Sequence, residues 1–162
     1  GRNAEYLAGE EPSLGAVLAG AYVRGVQGEG VAAVVKHFIL NGQETRRHSQ
    51  SSIVDPRTLW EVYYPPFVAA MEAGVASVMC SYNKVGGSYA CGNDQILLRD
   101  LKQQMGFEGW VMSDWWAVHS TEAAKGGVDQ EMPGTAGLSS GENGAPFFGM
   151  KRLQNAGADL KE

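Results

Sequence analysis

The carboxylate of Asp114 is the group in this sequence best placed for covalent chemistry. It directly follows an apolar segment at residues 109–113, precedes Trp115 and Trp116, and has His119 five residues further on. Carboxylates accept hydrogen bonds from sugar hydroxyls, and aromatic faces pack against the apolar C–H face of a pyranose ring. The pattern therefore suits a nucleophile that faces a sugar. The alternative is that Asp114 caps the turn or helix that follows.

Lys36 and His37 form the second candidate pair, at the end of an apolar segment. A lysine inside an apolar strand is costly unless its ammonium group emerges into a polar cleft. Adjacent strand residues point to opposite faces, so both can serve one site only at the strand's end, where the chain turns. The alternative is a snorkelling lysine beside a hydrogen-bonded core histidine.

Other polar residues follow later apolar segments. Tyr82 can donate its hydroxyl to a neighbouring carboxylate, and the alternative is a buried tyrosine whose hydroxyl is satisfied elsewhere. Asp129 and Glu131 are either a second carboxylate pair at the site or anchors at a strand end. We favour the anchor for Glu131 and leave Asp129 open.

The histidine and cysteine spacings argue against a metal site. His37, His48 and His119 are irregularly spaced, and the sequence contains no H-x-H, H-E-x-x-H or C-x-x-C. The G-x-S-x-G pattern of serine hydrolases is absent as well. We therefore expect neither a metal nor a cofactor.

Cys80 and Cys91 bracket a segment rich in turn residues, which includes Tyr82. A disulfide between them would close this loop and hold Tyr82 in place. Loop closure of this length is worth about 2–3 kcal/mol when the bridge is unstrained. Two cysteines alone do not establish a bridge, and the alternative is a pair of buried thiols in a reducing compartment.

The elements that must position these residues alternate along the chain. Helical spacing and caps predict helices that begin after Pro12-Ser13, after Asp55, at Pro66, at about Gln95 and at about Thr121. All-apolar segments predict strands at residues 31–38, 75–80 and 109–113, and a possible fourth at 127–132. Such alternation predicts parallel strands that are buried on both faces.

Two α/β architectures fit this alternation, an open doubly wound sheet and a (β/α)₈ barrel. No G-x-G-x-x-G or G-x-x-x-x-G-K-[ST] follows any strand, so the nucleotide-binding versions of the open sheet lack support. Polar residues cluster just after the strands, where a barrel enzyme carries its chemistry. We predict an incomplete (β/α)₈ TIM-type barrel of about half the usual strands, since complete barrels need roughly 250 residues.

The composition excludes several classes of protein. The 162 residues are 44% hydrophobic, which is enough for a core, and the formal net charge is −5, which argues against nucleic-acid binding. No run of 18 apolar residues is present, so we expect no membrane span. Because the chain starts with Gly1 rather than a translation start, we expect it to be a fragment of a longer protein.

Taken in order, these strings resemble the N-terminal barrel domain of glycoside hydrolase family 3, the β-glucosidase and β-xylosidase type. The matching strings are GRNAE at 1–5, VKHF at 35–38, PF at 66–67, VMCSYN at 78–83, GFEGWVMSDW at 106–115 and GVDQEMPG at 127–134. Each string alone is weak, but the ordered set is specific. On this resemblance residues 1–162 are a partial barrel domain, and residues 135–162 form a tail that matches only weakly.

The resemblance implies a role for individual residues. Asp114 would be the nucleophile of a retaining hydrolase that releases terminal, non-reducing β-D-glucosyl residues through a glycosyl-enzyme intermediate. The residues implied to line the sugar pocket are Arg2, Lys36, His37, Met79, Tyr82 and Trp115. Tyr82 would steady Asp114, and Trp115 would form an aromatic wall. The same resemblance leaves a β-xylosidase or a non-catalytic sugar-binding relative as alternatives.

The resemblance also implies what this chain lacks. In the family the acid/base carboxylate comes from a later domain, so the missing C-terminal domain would be a partner and the isolated chain would be inactive. The substrate would be a β-glucoside or an oligosaccharide. The Cys80 and Cys91 pair resembles secreted members, in which such cysteines are often bridged, and this favours a secreted or periplasmic location.

Overall fold

A computed structural model describes residues 10–135 and 145–157 of the chain. The helical segments are α1 (Pro12–Gly28), α2 (Pro56–Thr58), α3 (Leu59–Tyr63), α4 (Pro65–Glu72), α5 (Gln95–Gln104), α6 (Thr121–Ala124) and α7 (Met150–Asn155). The strands are β1 (Val34–Phe38), β2 (Ser51–Ser52), β3 (Ser77–Cys80), β4 (Lys84–Val85), β5 (Ser88–Tyr89) and β6 (Trp110–Ser113). Arg2, one of the implied sugar-binding residues, lies outside the described ranges.

The main sheet is parallel throughout, which confirms the alternating pattern. Its strand order is β1-β3-β6, so each strand pairs with the next long strand along the chain. A parallel bridge between Met112 and Gln130 follows at the edge. The fourth strand predicted at residues 127–132 is thus reduced to a single bridge. Since all strands run in the same direction, their carboxyl ends lie at the same end of the sheet.

The register of the main sheet separates its two faces. Val78 on β3 pairs with Val111 on β6, and both side chains are fully buried. Lys36 pairs with Met79, which in turn pairs with Met112. Because successive side chains alternate between faces, Lys36, Met79 and Met112 lie on the face opposite to the two valines. The continuation of that alternation beyond Met112 falls on Asp114.

A second, smaller sheet follows the carboxyl ends of β1 and β3, and no long apolar segment in the sequence predicts it. β2 pairs with β4 in parallel, and β4 pairs with β5 as an antiparallel hairpin. Gly86 and Gly87 form the turn of the hairpin with φ of 56° and 93°, the positive values that glycine adopts without strain. This sheet ties the segment after β1 to the segment after β3.

The helices follow the prediction with local differences. Pro12 stands at the first position of α1, and the carboxylate of Glu11 accepts hydrogen bonds from the Ser13 and Leu14 amides. The predicted cap, Ser13, is therefore already inside the helix. Asp55 caps α2 as expected, through a 3.0 Å hydrogen bond from the Thr58 amide. The chain then breaks before Pro65 and starts α4 there, one residue earlier than predicted.

The core beneath β1 is aromatic. The Phe38 ring stacks on Tyr64 and meets Phe67 edge-on, with ring centroids 5.5 and 5.0 Å apart. The Tyr64 hydroxyl donates to the buried Asp100 carboxylate at 2.8 Å. Burial, reinforced by this carboxylate, raises the pKa of Tyr64, so the hydroxyl stays protonated. Within residues 10–135 and 145–157, no helix combines the length and the apolar character needed to cross a membrane.

Candidate active site

Two side chains, one from β1 and one from the segment after β3, meet the carboxylate that follows β6. The Tyr82 hydroxyl donates to Oδ1 of Asp114 at 3.1 Å. Nε2 of His37 lies 3.3 Å from the other oxygen, Oδ2. His37 belongs to β1, Tyr82 follows β3, and Asp114 follows β6. His37 lies 45 positions before Tyr82, and Asp114 lies 32 positions after it. The order of the parallel strands brings these distant residues together.

The carboxylate of Asp114 is shielded from water and has a neighbouring side chain at each oxygen. Only 13% of the Asp114 side chain and 3% of the His37 side chain are exposed. Hydrogen-bond donors that face the oxygens of a buried carboxylate satisfy and orient it. Tyr82 supplies such a donor to one oxygen, and His37 reaches the other. Asp114 is therefore a largely buried carboxylate whose two oxygens each face a neighbouring side chain.

A break in the strand register accompanies the approach of His37 to Asp114. The pairing of β1 with β3 shifts between Lys36 and Phe38, so that His37 is skipped in the ladder. Such a bulge turns a side chain away from its regular alternation. His37 is buried and reaches Asp114, while Lys36 is exposed on the face of the sheet that holds Met79. Sequence alternation alone placed the two residues on opposite faces.

The segment that carries Tyr82 is fastened at several points. Cys80 and Cys91 form a disulfide in the structure, with their Cα atoms 5.3 Å apart. The Ser81 hydroxyl donates to the Ile39 carbonyl at 3.1 Å, and the Asn83 amide donates to the same carbonyl at 3.1 Å. These bonds lock the ends of β1 and β3 together on both sides of Tyr82.

We expect the disulfide to matter for stability. Replacing both Cys80 and Cys91 by alanine in the complete polypeptide should lower the free energy of unfolding by about 2–3 kcal/mol, because the open loop gains chain entropy when unfolded. Urea denaturation of the variant and the parent measures the difference. A variant as stable as the parent would show that the loop is held by Ser81 and Asn83 alone.

Two residues after β1 contact Tyr82 and were not singled out from the sequence. The guanidinium carbon of Arg47 lies 4.2 Å from the centroid of the Tyr82 ring. The His48 ring meets the same tyrosine edge-on, with centroids 4.5 Å apart. The only signal in the sequence was a cluster of basic residues, Arg46-Arg47-His48, shortly after the Lys-His strand.

Trp115 and Trp116 follow the carboxylate directly. Trp115 is 39% exposed, so a large aromatic surface stands beside Asp114 at the rim. Trp116 adopts a positive φ of 60°, and its amide donates to the Met132 carbonyl at 2.8 Å. The chain therefore turns sharply after Asp114 and is pinned to the next segment.

Asp129 and Glu131 are anchors. The Asp129 carboxylate accepts from the Lys102 ammonium group and from the Val111 amide, both at 2.8 Å. Glu131 accepts from the Phe147 and Phe148 amides at 3.2 and 2.7 Å. The anchor favoured for Glu131 is confirmed, and Asp129 has the same kind of role. In the part of the chain that the structure describes, no group of three His, Cys, Asp or Glu side chains is placed to hold a metal ion.

His119 lies in a cavity beside the hairpin. The cavity has a volume of about 280 Å³, and Lys84, Tyr89 and Glu122 also line it. The His119 ring stacks on Tyr89 with centroids 3.6 Å apart. Burial, followed by the nearby His48 and Lys84, lowers the pKa of His119, so the imidazole is neutral near neutral pH. Through its contact with Tyr89, His119 packs against the hairpin of β4 and β5.

Residues 4–143 match the family described as the Glycosyl hydrolase family 3 N terminal domain. The chain belongs to glycosyl hydrolase family 3. A relative from Aspergillus terreus, named probable beta-glucosidase L, is 52% identical over 136 residues, which are 83% of this chain and 18% of that protein. A beta-glucosidase from Rhizobium radiobacter is 51% identical over 136 residues, 83% of this chain and 16% of its own.

Solved structures of family members agree with the fold. The beta-glucosidase D2-BGL from Chaetomella raphigera superposes with a TM-score of 0.88 at 42% identity, over 97% of this chain and 21% of that one. The Trichoderma reesei beta-D-glucoside glucohydrolase gives 0.83 at 43% identity, over 92% of this chain and 20% of that one. The predicted incomplete (β/α) barrel is therefore confirmed. The chain spans about a fifth of the length of these relatives.

Proposed function

We propose that this family 3 chain carries the nucleophile of a retaining enzyme that hydrolyses terminal, non-reducing β-D-glucosyl residues. The observation that supports the proposal most strongly is the pair of contacts on Asp114, from the Tyr82 hydroxyl at 3.1 Å and from His37 Nε2 at 3.3 Å. They orient a shielded carboxylate at the carboxyl edge of parallel strands, which is where barrel enzymes place their catalytic groups.

The chemistry has two steps. In the first, an oxygen of Asp114 forms a bond to the anomeric carbon while the bond from that carbon to the leaving oxygen breaks, and a carboxylic acid protonates the leaving oxygen. In the second, water attacks the anomeric carbon, the acid's conjugate base takes a proton from that water, and Asp114 is released as a carboxylate. Two inversions leave the β configuration unchanged.

The second carboxyl group of this mechanism is proposed to come from outside the chain. A retaining pair has its carboxyl groups about 5–5.5 Å apart, so the donor must enter the space above Asp114. The chain spans 18% of the Aspergillus terreus relative, which leaves most of that protein's length to supply it. The remaining domain is therefore the partner that completes the site.

The sugar is proposed to lie on the face of the sheet that holds Lys36 and Met79. His37 and Lys36 would donate to sugar hydroxyls, and Trp115 would cover an apolar face of the ring. Arg2, which lies outside the described residues, keeps its proposed place in the same pocket. A β-glucoside is favoured over a β-xyloside because the relatives named above are called beta-glucosidases.

The proposal is tested by comparing substrates on the complete polypeptide. We expect 4-nitrophenyl β-D-glucoside to be hydrolysed with a higher kcat/KM than the β-D-xyloside, and the first sugar product to have the β configuration by NMR. The isolated 162-residue chain should release no 4-nitrophenol above background. A product of α configuration would contradict the retaining mechanism, and failure on both glycosides would favour a sugar-binding protein.

The Tyr82 hydroxyl is expected to support turnover. Tyr82→Phe in the complete polypeptide should lower kcat by about 10- to 100-fold, because a hydrogen bond to a charged group contributes about 1.5–3 kcal/mol. The Michaelis constant should change little. Tyr63→Phe is the matched control, since Tyr63 is 43% exposed. Equal rates for the two variants would exclude a role for the hydroxyl.

A further inference from the structure

The Tyr82 ring is packed between neighbouring side chains, and its hydroxyl forms a hydrogen bond. Tyr82 is 6% exposed as a residue, and its hydroxyl donates to Asp114. The Arg47 guanidinium lies 4.2 Å from the ring centroid, within the range of a favourable cation–π contact. The His48 ring closes against the same tyrosine at an interplanar angle of 61°. Two consecutive residues of one loop therefore confine the ring.

The loop that carries Arg47 and His48 is held by a salt bridge and by backbone hydrogen bonds. Nη1 of Arg47 forms a 2.5 Å salt bridge to the Glu44 carboxylate, and the Arg47 amide donates to the Glu44 carbonyl at 3.2 Å. The Gln50 amide donates to the Arg46 carbonyl at 3.0 Å, which closes the turn. Beyond it, the Lys84 amide donates to the Gln50 carbonyl at 2.9 Å. Arg47 is thus fixed at its head by Glu44 and at its backbone by the turn.

The hydrogen bond from Tyr82 to Asp114 depends on the position of the ring and is sensitive to small displacements of it. At 3.1 Å between the two oxygens, the bond from Tyr82 to Asp114 is already longer than the 2.7–2.8 Å usual for O–H···O bonds. A small rotation of the ring would lengthen it further, and hydrogen bonds weaken steeply as distance and angle depart from their optimum. The placement of the ring therefore decides whether the hydroxyl reaches the carboxylate.

We propose that Arg47, held by Glu44, is a positioning residue for the nucleophile: its guanidinium fixes the Tyr82 ring so that the tyrosine hydroxyl stays bonded to Asp114. This inference rests on the proposed function, because it assigns Arg47 an effect on the step that Asp114 carries out. Arg47 acts through Tyr82, so its effect exists only while Tyr82 has a hydroxyl to place.

That dependence defines the experiment, which is a double-mutant cycle in the complete polypeptide. Arg47→Gln should lower kcat on 4-nitrophenyl β-D-glucoside by about 5- to 30-fold, the range set by a cation–π contact that is partly shielded from water, with KM changed by less than about twofold. In the Tyr82→Phe background, the same substitution should cost less than about twofold more, because coupled residues are not additive. Arg47→Lys should recover part of the loss.

Arg46→Gln is the matched control. It removes the same charge from the adjacent position, whose side chain is exposed, and it should leave kcat within about twofold of the parent. Unfolding temperatures of all variants report on folding, and Arg47→Lys replaces Arg47→Gln in the cycle if the latter does not fold. Glu44→Gln should lower kcat in the same direction as Arg47→Gln by a smaller factor.

Three results would overturn the inference. Multiplicative losses in the cycle would mean that Arg47 acts independently of the tyrosine hydroxyl. A rise in KM with unchanged kcat would mean that it binds substrate uniformly. Equal kcat for Arg47→Gln and Arg46→Gln would mean that it has no role. A parent protein that hydrolyses no β-glycoside would instead refute the proposed function, and this inference with it.

Discussion

Replacing Asp114 by alanine in the complete polypeptide is expected to lower kcat on an aryl β-glucoside by about 10⁴-fold or more, the scale seen when a covalent nucleophile is deleted. The reason lies in the mechanism, since without the carboxylate no glycosyl-enzyme intermediate can form. Steady-state kinetics measures the loss. The KM values of parent and variant do not compare substrate affinities directly, because KM equals the substrate dissociation constant only when chemistry is slow relative to dissociation.

A small anion sharpens this test. The space left by the Asp114 carboxylate is flanked by the Tyr82 hydroxyl and by His37, so azide can enter it and attack the anomeric carbon in place of the side chain. We expect azide to restore part of the rate to Asp114→Ala and to yield the α-glucosyl azide, since only one inversion remains. Asp94→Ala is the control, because Asp94 is exposed and makes no side-chain cap bond. Comparable rates for both variants would contradict the assignment.

The largest effect on stability is expected from Gly109→Ala. Gly109 precedes β6 where that strand starts to pair with β3, and a methyl group there would overlap the backbone carbonyl oxygen of Ala76. It would also lie 2.8 Å from the Phe107 ring. Backbone atoms cannot rotate out of the way, so the strands must separate. We expect a loss of more than about 3 kcal/mol in the free energy of unfolding.

Gly25→Ala is the matched control for that substitution. Gly25 lies in α1, and a methyl group added there would meet nothing within 4 Å. Alanine in a helix interior is favoured over glycine by about 0.5–1 kcal/mol, so this variant should be slightly more stable than the parent. Chemical denaturation of the complete polypeptide measures both. Equal stabilities for the two variants would show that β3 and β6 are packed less closely here.

The parts of the fold that depend on local patterning were predictable. Residues 75–80 and 109–113 are apolar segments bounded by turn residues, and they form β3 and β6 with the expected parallel pairing. Tyr82 and Asp114 directly follow these strands, and parallel strands place their carboxyl ends at the same end of the sheet, which agrees with the contact that the resemblance to the family implied. Strand order, rather than any remote detail, determines that contact.

The remaining features depend on interactions that sequence spacing does not encode. The bulge that turns His37 toward Asp114 breaks the alternation on which the prediction relied. The strands of the small sheet have two residues each, too few to show any periodicity. Arg47 reaches Tyr82 from 35 positions away, across a turn whose shape follows from backbone hydrogen bonds.

The proposed function requires the carboxylate of residue 114 to bond covalently to the sugar during turnover. The most direct measurement is to treat the complete polypeptide with 2,4-dinitrophenyl 2-deoxy-2-fluoro-β-D-glucoside, which slows breakdown of the intermediate, and to locate the label by peptide mass spectrometry. We predict one fluoroglucosyl group per molecule, on the peptide that contains Asp114. A label on another carboxylate, or inactivation without any covalent adduct, would contradict the account.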